Sequence, residues 1–403
     1  MKPLLSAVYP YAFFLLYLII PFDNYVRALP NILLAVLVVA FSFVVSREDF
    51  KKVKSVPVIV FFGFFLFLIF NAVLYGRLET DFNIIKKVLI PVGLFLLYLP
   101  VYELRKINKA VVFSSLATIL FSIVNILIHN DVSGDLIITN YPILIESLLI
   151  DRLYLGFLSV LSILIAYHSL KPQYHPDNRY YLGNIIVNFL FLLLIVSKIA
   201  IIILLVLLVL RQFYGKNKKI RILVTIISIG LLATFYFSVR EGLQKQDFLS
   251  AAPESEIGFV KQTLTWEIRT VVWHCASVVS EEVGFSLKGL GFNGTNDALS
   301  DCYSEKMENT QKRDLFVTNR YNSHNQFVDV YLSTGVIGFL LFFSLFVILF
   351  IRIRKNYFDT ALLVVLTSYC FIENIFHRQL GSYYAGFILI VLLINSAKIK
   401  TIK

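Results

Sequence analysis

Apolar runs recur along the whole chain, separated by short polar stretches. A helix needs roughly 20 mostly apolar residues to cross a bilayer core. Runs that reach or approach that length lie at approximately 6–22, 29–46, 56–75, 84–101, 110–129, 152–168, 183–197, 198–213, 220–238, 324–351, 358–376 and 379–396. The pattern predicts an all-α polytopic membrane protein of about twelve transmembrane helices. The one long polar segment is 240–322, between the ninth and tenth runs.

Basic residues assign a side to each loop, because Lys and Arg collect on the cytoplasmic face. With the N-terminus inside, the loops SREDFKKVK, ELRKINK, LKPQYHPDNR, RQFYGKNKKIR and RIRK and the tail KIKTIK all fall inside. Together with Lys2 they hold 21 of the 37 Lys and Arg residues. The outward loops are short and acidic or neutral, as in PFDNYVRALP and 131–151. The stretch 183–210 tests this count, being apolar throughout except at Ser197-Lys198. A single tilted helix would put one of two basic loops outside and reverse the asymmetry of everything after it. Two short helices meeting near Ser197-Lys198 preserve the asymmetry, and they set Lys198 in a recess on the outer side. Both termini are then cytoplasmic.

The chain reads as one membrane domain, 1–403, whose segment 240–322 forms an external loop or cap. That segment carries nine Lys/Arg and twelve Asp/Glu, so it is nearly neutral and not a polybasic lipid clamp. Within it, helical periodicity over about 259–280 sets Val260, Leu264, Ile268, Val271, Val272, Cys275 and Val279 on one face. Trp266, Arg269 and Trp273 share another face. A glycine-rich turn, KGLGFNGTNDALSD, follows.

Composition narrows the class. On length alone, 403 residues allow two or three soluble domains. Hydrophobic residues at 58 %, charged residues at 16 % and a mean hydropathy of +0.76 leave too few charges to cover soluble surfaces. Disordered, collagenous, nucleic-acid-binding and disulfide-framework classes are excluded. The net charge of +11 sets membrane orientation and does not imply a nucleic acid partner. The partner implied is the lipid bilayer. Cys275, Cys302 and Cys370 have no metal-site spacing. Cys275 and Cys302 share the external segment and can pair only if it meets an oxidising compartment. No cleavage motif follows the first apolar run, so a retained first helix is expected.

No P-loop, dinucleotide fingerprint, H-E-x-x-H or nucleophile elbow is present. The remaining chemistry lies in ionisable residues at the outer boundary, where such groups are costly and functional by default. In NRYNSHNQFVDVYLSTGVIG, Ser323 and Gln326 have capping-box spacing ahead of an apolar run. This predicts His324 and Asn325 in the first helical turn, where the helix dipole favours a neutral imidazole and a bound anion. A neutral histidine there is a candidate general base, or else a boundary residue capping a loop. Asp329 lies about 140° round the helix and is a poor partner for it. Four cations can serve an anionic ligand: Arg152, Lys198, Arg269 and Arg320. Arg152 and Arg320 also suit snorkelling anchors, and Arg269 an interfacial helix with Trp266 and Trp273. Glu373 and His377, one turn apart, form a secondary pair able to orient a base or contact sugar.

These residues fall into a known pattern. His324-Asn325, nine residues, Gly335, two residues and Gly338 resemble the signature of the O-antigen ligase and O-antigen polymerase superfamily. DRLYLG at 151–156 resembles the family's arginine before the sixth span, and Ser197-Lys198 its turn between two short helices. Arg269 with Trp273, Ala276 and Gly289-Leu290-Gly291 is similar to its external segment. Twelve spans with a large outer loop between the ninth and tenth is also the family's arrangement. The resemblance implies a metal-independent, cofactor-free glycosyl transfer on the outer face of the bacterial inner membrane. The donor is then a glycan on undecaprenyl pyrophosphate, and the acceptor a hydroxyl of the lipid A core or of another glycan. It implies His324 as the base and Arg152, Lys198 and Arg269 as the pyrophosphate clamp. Lys198 departs from the family's arginine and lacks the bidentate fork.

Ligase, polymerase and protein-glycosylating enzymes share this donor chemistry and differ in acceptor; the signature leans to the ligase. A transporter for an anionic substrate would show internal repeats and mid-membrane charges. Neither appears in this sequence.

Overall fold

The computed structural model describes residues 2–101, 103–133, 147–215 and 267–398, with Ile222, Leu223, Ile226, Ile227 and Gly230 between them. Among these residues there is no strand, and fifteen α-helices follow one another. The first six are α1 Lys2–Ile19, α2 Leu29–Val44, α3 Val56–Leu74, α4 Leu78–Val88, α5 Ile90–Tyr98 and α6 Leu104–Ser133. Then come α7 Arg152–Ser169, α8 Asp177–Leu194, α9 Lys198–Phe213, α10 Glu267–Val283 and α11 Phe292–Lys306. The last four are α12 Thr310–Asn319, α13 Gln326–Ile353, α14 Tyr357–Ile372 and α15 Gln379–Lys398.

Among the described residues, six helical stretches are long and apolar enough to cross a membrane: Leu5–Phe22, Val56–Leu74, Leu104–Ile128, Arg152–Ser169, Gln326–Ile353 and Gln379–Ala397. Leu29–Val44 and Tyr357–Ile372 are shorter apolar helices. The expected ninth span, 220–238, lies almost wholly outside the described residues, as do 259–266 of the external helix. The expected span 84–101 is two helices that meet at Leu89. Pro91 is the reason: it has no N–H to donate to Lys87, and its ring would press on that carbonyl in a continuous helix. The apolar run 183–210 does divide, at Ile195–Ser197, where Val196 takes a left-handed φ of 46°.

α15 is the centre of the helical body. Its side chains from Tyr383 to Leu393 are buried almost without a break, against α5, α13 and α14 among others. The helices around it carry large apolar side chains outward, such as Val39 on α2, Leu66 and Phe70 on α3, and Leu340 and Phe343 on α13. Apolar surface of this extent belongs in lipid, where each helix satisfies its own backbone. Together the helices and their apolar surfaces describe a multi-pass membrane protein. Polar side chains join α6, α7 and α8: Asn188 accepts from Ser115 at 2.5 Å, and Asn184 accepts from Ser162 at 3.2 Å.

α10, α11 and α12 form a cap with its own apolar core. Val271, Val272, Cys275 and Val279 of α10, four residues of the expected buried face, pack with Leu299, Tyr303 and Phe316. Cys275 and Cys302 form a disulfide that ties α10 to α11.

The turn after α10 docks on α13, which is kinked at Gly335, with φ 78° and ψ −174°. Ser286 accepts the N–H of Val336 at 2.9 Å, while Leu290 and Gly291 donate to Leu332 and Ser333 at 2.7 and 2.8 Å. The inserted turn thereby pairs backbone groups that the kink releases. A Cβ on Gly335 would stand 2.5 Å from the Ser286 carbonyl oxygen, and one on Gly289 2.5 Å from Ser333 backbone. The two glycine motifs thus exist for each other. Arg77 holds the turn from the other side, donating to the carbonyls of Lys288 at 2.9 Å and Gly289 at 3.0 Å. Asp81 accepts from Phe292 and Asn293 N–H at the start of α11, at 3.1 and 2.8 Å.

Candidate active site

His324 does not begin a helix. Asn325 is the N-cap of α13, accepting from the N–H groups of Phe327 and Val328 at 3.0 and 3.2 Å. The expected capping box is absent because its members are used elsewhere. Ser323 donates to the Asn325 carbonyl and to Asn374, at 3.1 and 3.2 Å, and Gln326 accepts from the N–H of Phe376 at 3.0 Å. These bonds stitch 323–326 to the stretch between α14 and α15. His324 itself is left-handed, with φ 44°. That conformation is uncommon without glycine, and such strain concentrates at functional sites.

The side-chain pairs cross between the two segments. His324 Nδ1 lies 2.9 Å from Glu373 Oε2. Glu373 follows the last residue of α14, and its other oxygen accepts from the N–H of Asn374 at 3.1 Å. His377 turns instead to Asp329, with Nε2 at 2.8 Å from Oδ2, though off the line of a hydrogen bond. Asp329 is therefore not the partner of His324. Nε2 of His324 is buried and has no hydrogen-bond partner among the described residues. Burial by itself pushes the Glu373 carboxyl up. The bond and charge of His324, with the charges of Arg269 and Arg378, outweigh it and hold the carboxyl below its ordinary range.

Three of the four candidate cations lie within range of one another, and one of them, Arg269, reaches this pair. Arg269, on α10, donates from Nε to the Ile372 carbonyl at 3.3 Å, next to Glu373. Burial pushes its guanidinium down, against the pull of Glu373 and Asp151, yet an arginine stays charged. Arg152 opens α7, whose N-cap Asp151 accepts from Leu153 N–H at 2.8 Å. Lys198 opens α9 and lies within range of the charges of Arg152 and Arg269. Gly156 makes that approach possible: a Cβ there would stand 2.5 Å from Ser197 Oγ and 3.1 Å from Ala200. Trp273 is half-exposed, and its ring N–H makes a long contact, 3.5 Å, with the His324 carbonyl.

Arg320 is elsewhere. It ends α12 in a left-handed conformation and pairs with Asp297 of α11, with 48 % of its side chain exposed. Trp266 lies outside the described residues. Sequence reasoning missed Asn374, which anchors Ser323, and Arg378, whose charge reaches Glu373. Neither stands out in sequence, since each acts only through segments folded against it. Among the described residues, no group of three or more His, Cys, Asp or Glu is arranged to hold a metal ion.

The arrangement suits one chemical task. A histidine fixed through Nδ1 by a carboxylate keeps Nε2 available for a proton, beside an arginine that heads a cluster of three cations able to take up negative charge.

Residues 183–343 match the family model described as O-antigen ligase. That stretch includes Lys198, Arg269, His324, Gly335 and Gly338, while Arg152 and Glu373 lie outside it. No curated protein matches the chain.

Proposed function

From an O-antigen ligase/polymerase-like family, which the match over residues 183–343 supports, we propose a glycan ligase at the outer face of the bacterial inner membrane. The donor is a glycan on undecaprenyl pyrophosphate, and the acceptor is a hydroxyl of the lipid A core. The hydroxyl oxygen attacks the anomeric carbon, its proton passes to His324 Nε2, and the bond to the pyrophosphate breaks. Glu373 holds the ring and stabilises the imidazolium that forms. Arg152, Lys198 and Arg269 bind the pyrophosphate and take up its charge as it leaves. The leaving group is already good, so positioning and charge carry most of the rate.

The observation that carries this reading is the His324–Glu373 contact at 2.9 Å beside Arg269, which lies in range of Arg152 and Lys198. In this reading the chain has twelve spans with both termini cytoplasmic, and 240–322 is a periplasmic cap. The Cys275–Cys302 disulfide supports that side for the cap, since such bonds persist in oxidising compartments.

The test is the length of glycan on the lipid carrier in cells lacking the gene, with His324→Ala as a second arm. Long polymers stranded on the carrier are expected. Single repeat units stranded there, with short surface glycan, would make the protein a polymerase. Wild-type surface glycan from His324→Ala would overturn the base assignment. A deletion that strands nothing on the carrier would favour a transporter.

A further inference from the structure

A cavity of about 500 Å³ opens beside the candidate site, where four connecting segments meet. Lys87 from the end of α4 and Arg378 from the start of α15 line it, and so do Asp23 and Asp151. Asn24, Gln379, Tyr154 and Tyr383 add uncharged polar groups to its lining. It adjoins the His324 site without being part of it. His377 lies in its wall, the charge of Arg378 reaches Glu373, and the charge of Asp151 reaches Arg269.

The lining differs in kind from the cation cluster. Around Arg269, beside Glu373, three cations gather as a phosphate clamp requires. Here two cations stand with two carboxylates, so an anionic ligand would meet repulsion as well as attraction. A sugar uses both: ammonium and guanidinium groups donate to hydroxyl oxygens, and carboxylates accept from hydroxyl protons. Tyr154 adds a buried hydroxyl, on a side chain only 3 % exposed, with no partner among the described residues. Such groups are normally satisfied, and this one belongs to a residue in the wall of the cavity. The volume falls in the range of small-molecule sites and accommodates a sugar unit with part of its neighbour.

We propose that this cavity is the acceptor subsite, binding an uncharged, hydroxyl-rich sugar unit of the acceptor through Lys87, Arg378, Asp23 and Asp151. The inference rests on the glycosyl-transfer reading. It assigns the acceptor to the α4–α15 side of His324, apart from the pyrophosphate clamp.

The test uses full-length protein in lipid nanodiscs, with lipid-linked glycan extracted from the host as donor. The acceptor probe is core oligosaccharide released from the host envelope, used in both steady-state kinetics and direct binding. Lys87→Gln and Arg378→Gln are expected to raise the acceptor KM by about tenfold or more, with donor KM moving less than about twofold. Tyr154→Phe, which removes only the hydroxyl, should give a smaller rise of the same kind. Direct binding of the core oligosaccharide should weaken in parallel. An acceptor KM and affinity unmoved in both charge variants would overturn the subsite, as would a rise confined to donor KM. If the oligosaccharide binds the wild type, weakens in the variants, and is never glycosylated, the cavity stands as a glycan site and the transfer reading falls.

Discussion

Two histidine–carboxylate pairs lie at the same end of the helical body and differ in what they leave available. In His324–Glu373, Nδ1 faces the carboxylate at 2.9 Å, and the side chains are 15 % and 9 % exposed. In His377–Asp329, Nε2 itself faces the carboxylate at 2.8 Å, and exposure falls to 6 % and 0 %. The first pair stands beside Arg269, with Arg152 and Lys198 in range of it. The second joins the start of α13 to the turn before α15. The same residue types thus serve two ends. A base needs a nitrogen that the fold does not consume and charges placed to receive what the proton leaves behind. The more deeply buried His377–Asp329 pair is expected to act as a structural tie.

Substitutions can break this contrast, and the largest effect is expected at His324. His324→Ala should lower glycan transfer by roughly 10²–10⁴-fold, the usual contribution of a positioned base, with membrane protein levels unchanged. Loss of the protein itself would make His324 a structural residue. His377→Ala should act the other way round. It strands the buried Asp329 carboxylate, which costs about 3–5 kcal/mol when one member of such a pair is removed. The readout is a lowered Tm in detergent, with turnover per folded molecule much less affected than in His324→Ala. A catalytic loss equal to that of His324→Ala, at normal Tm, would erase the distinction.

Glu373→Gln sharpens the comparison, because an amide can still accept from the ring but cannot balance an imidazolium. Its activity should lie between those of the wild type and His324→Ala. The same variant carries a pH signature. The Glu373 carboxyl is held below its ordinary range, so its contribution to stability is present above that range. It is lost as pH falls through the depressed value. Wild-type thermal stability should therefore decline in acid, and Glu373→Gln should decline less steeply; parallel curves would assign the decline to other carboxylates. The smallest effect is expected at Arg320, whose exposed pairing with Asp297 is worth at most about 1 kcal/mol. Arg320→Ala should leave the donor KM within about twofold, measured beside Arg269→Ala, which should not. A rise in donor KM comparable to that of Arg269→Ala would return Arg320 to the phosphate site.

By itself the sequence determined most of the helices described, though it read 84–101 as one span where Pro91 divides it and set the start of α13 two residues early. Apolar runs, proline positions and helical periodicity act over a few residues, so they mark helices and the break at Ser197-Lys198 without knowledge of neighbours. They also mark the buried face of α10. The motif residues at 324, 335 and 338 were legible too, but not their reason. Only the tertiary structure decided that Gly335 is a kink filled by the turn after α10, because the atoms that forbid a Cβ come from residues about fifty positions earlier in the chain. Only it crossed the two histidine pairs, paired Cys275 with Cys302, and drew Arg320 to Asp297. It also assembled Lys87, Arg378, Asp23 and Asp151 around one cavity. Each of these depends on which side chains long-range packing brings within hydrogen-bond or charge range, and local propensity carries no record of that.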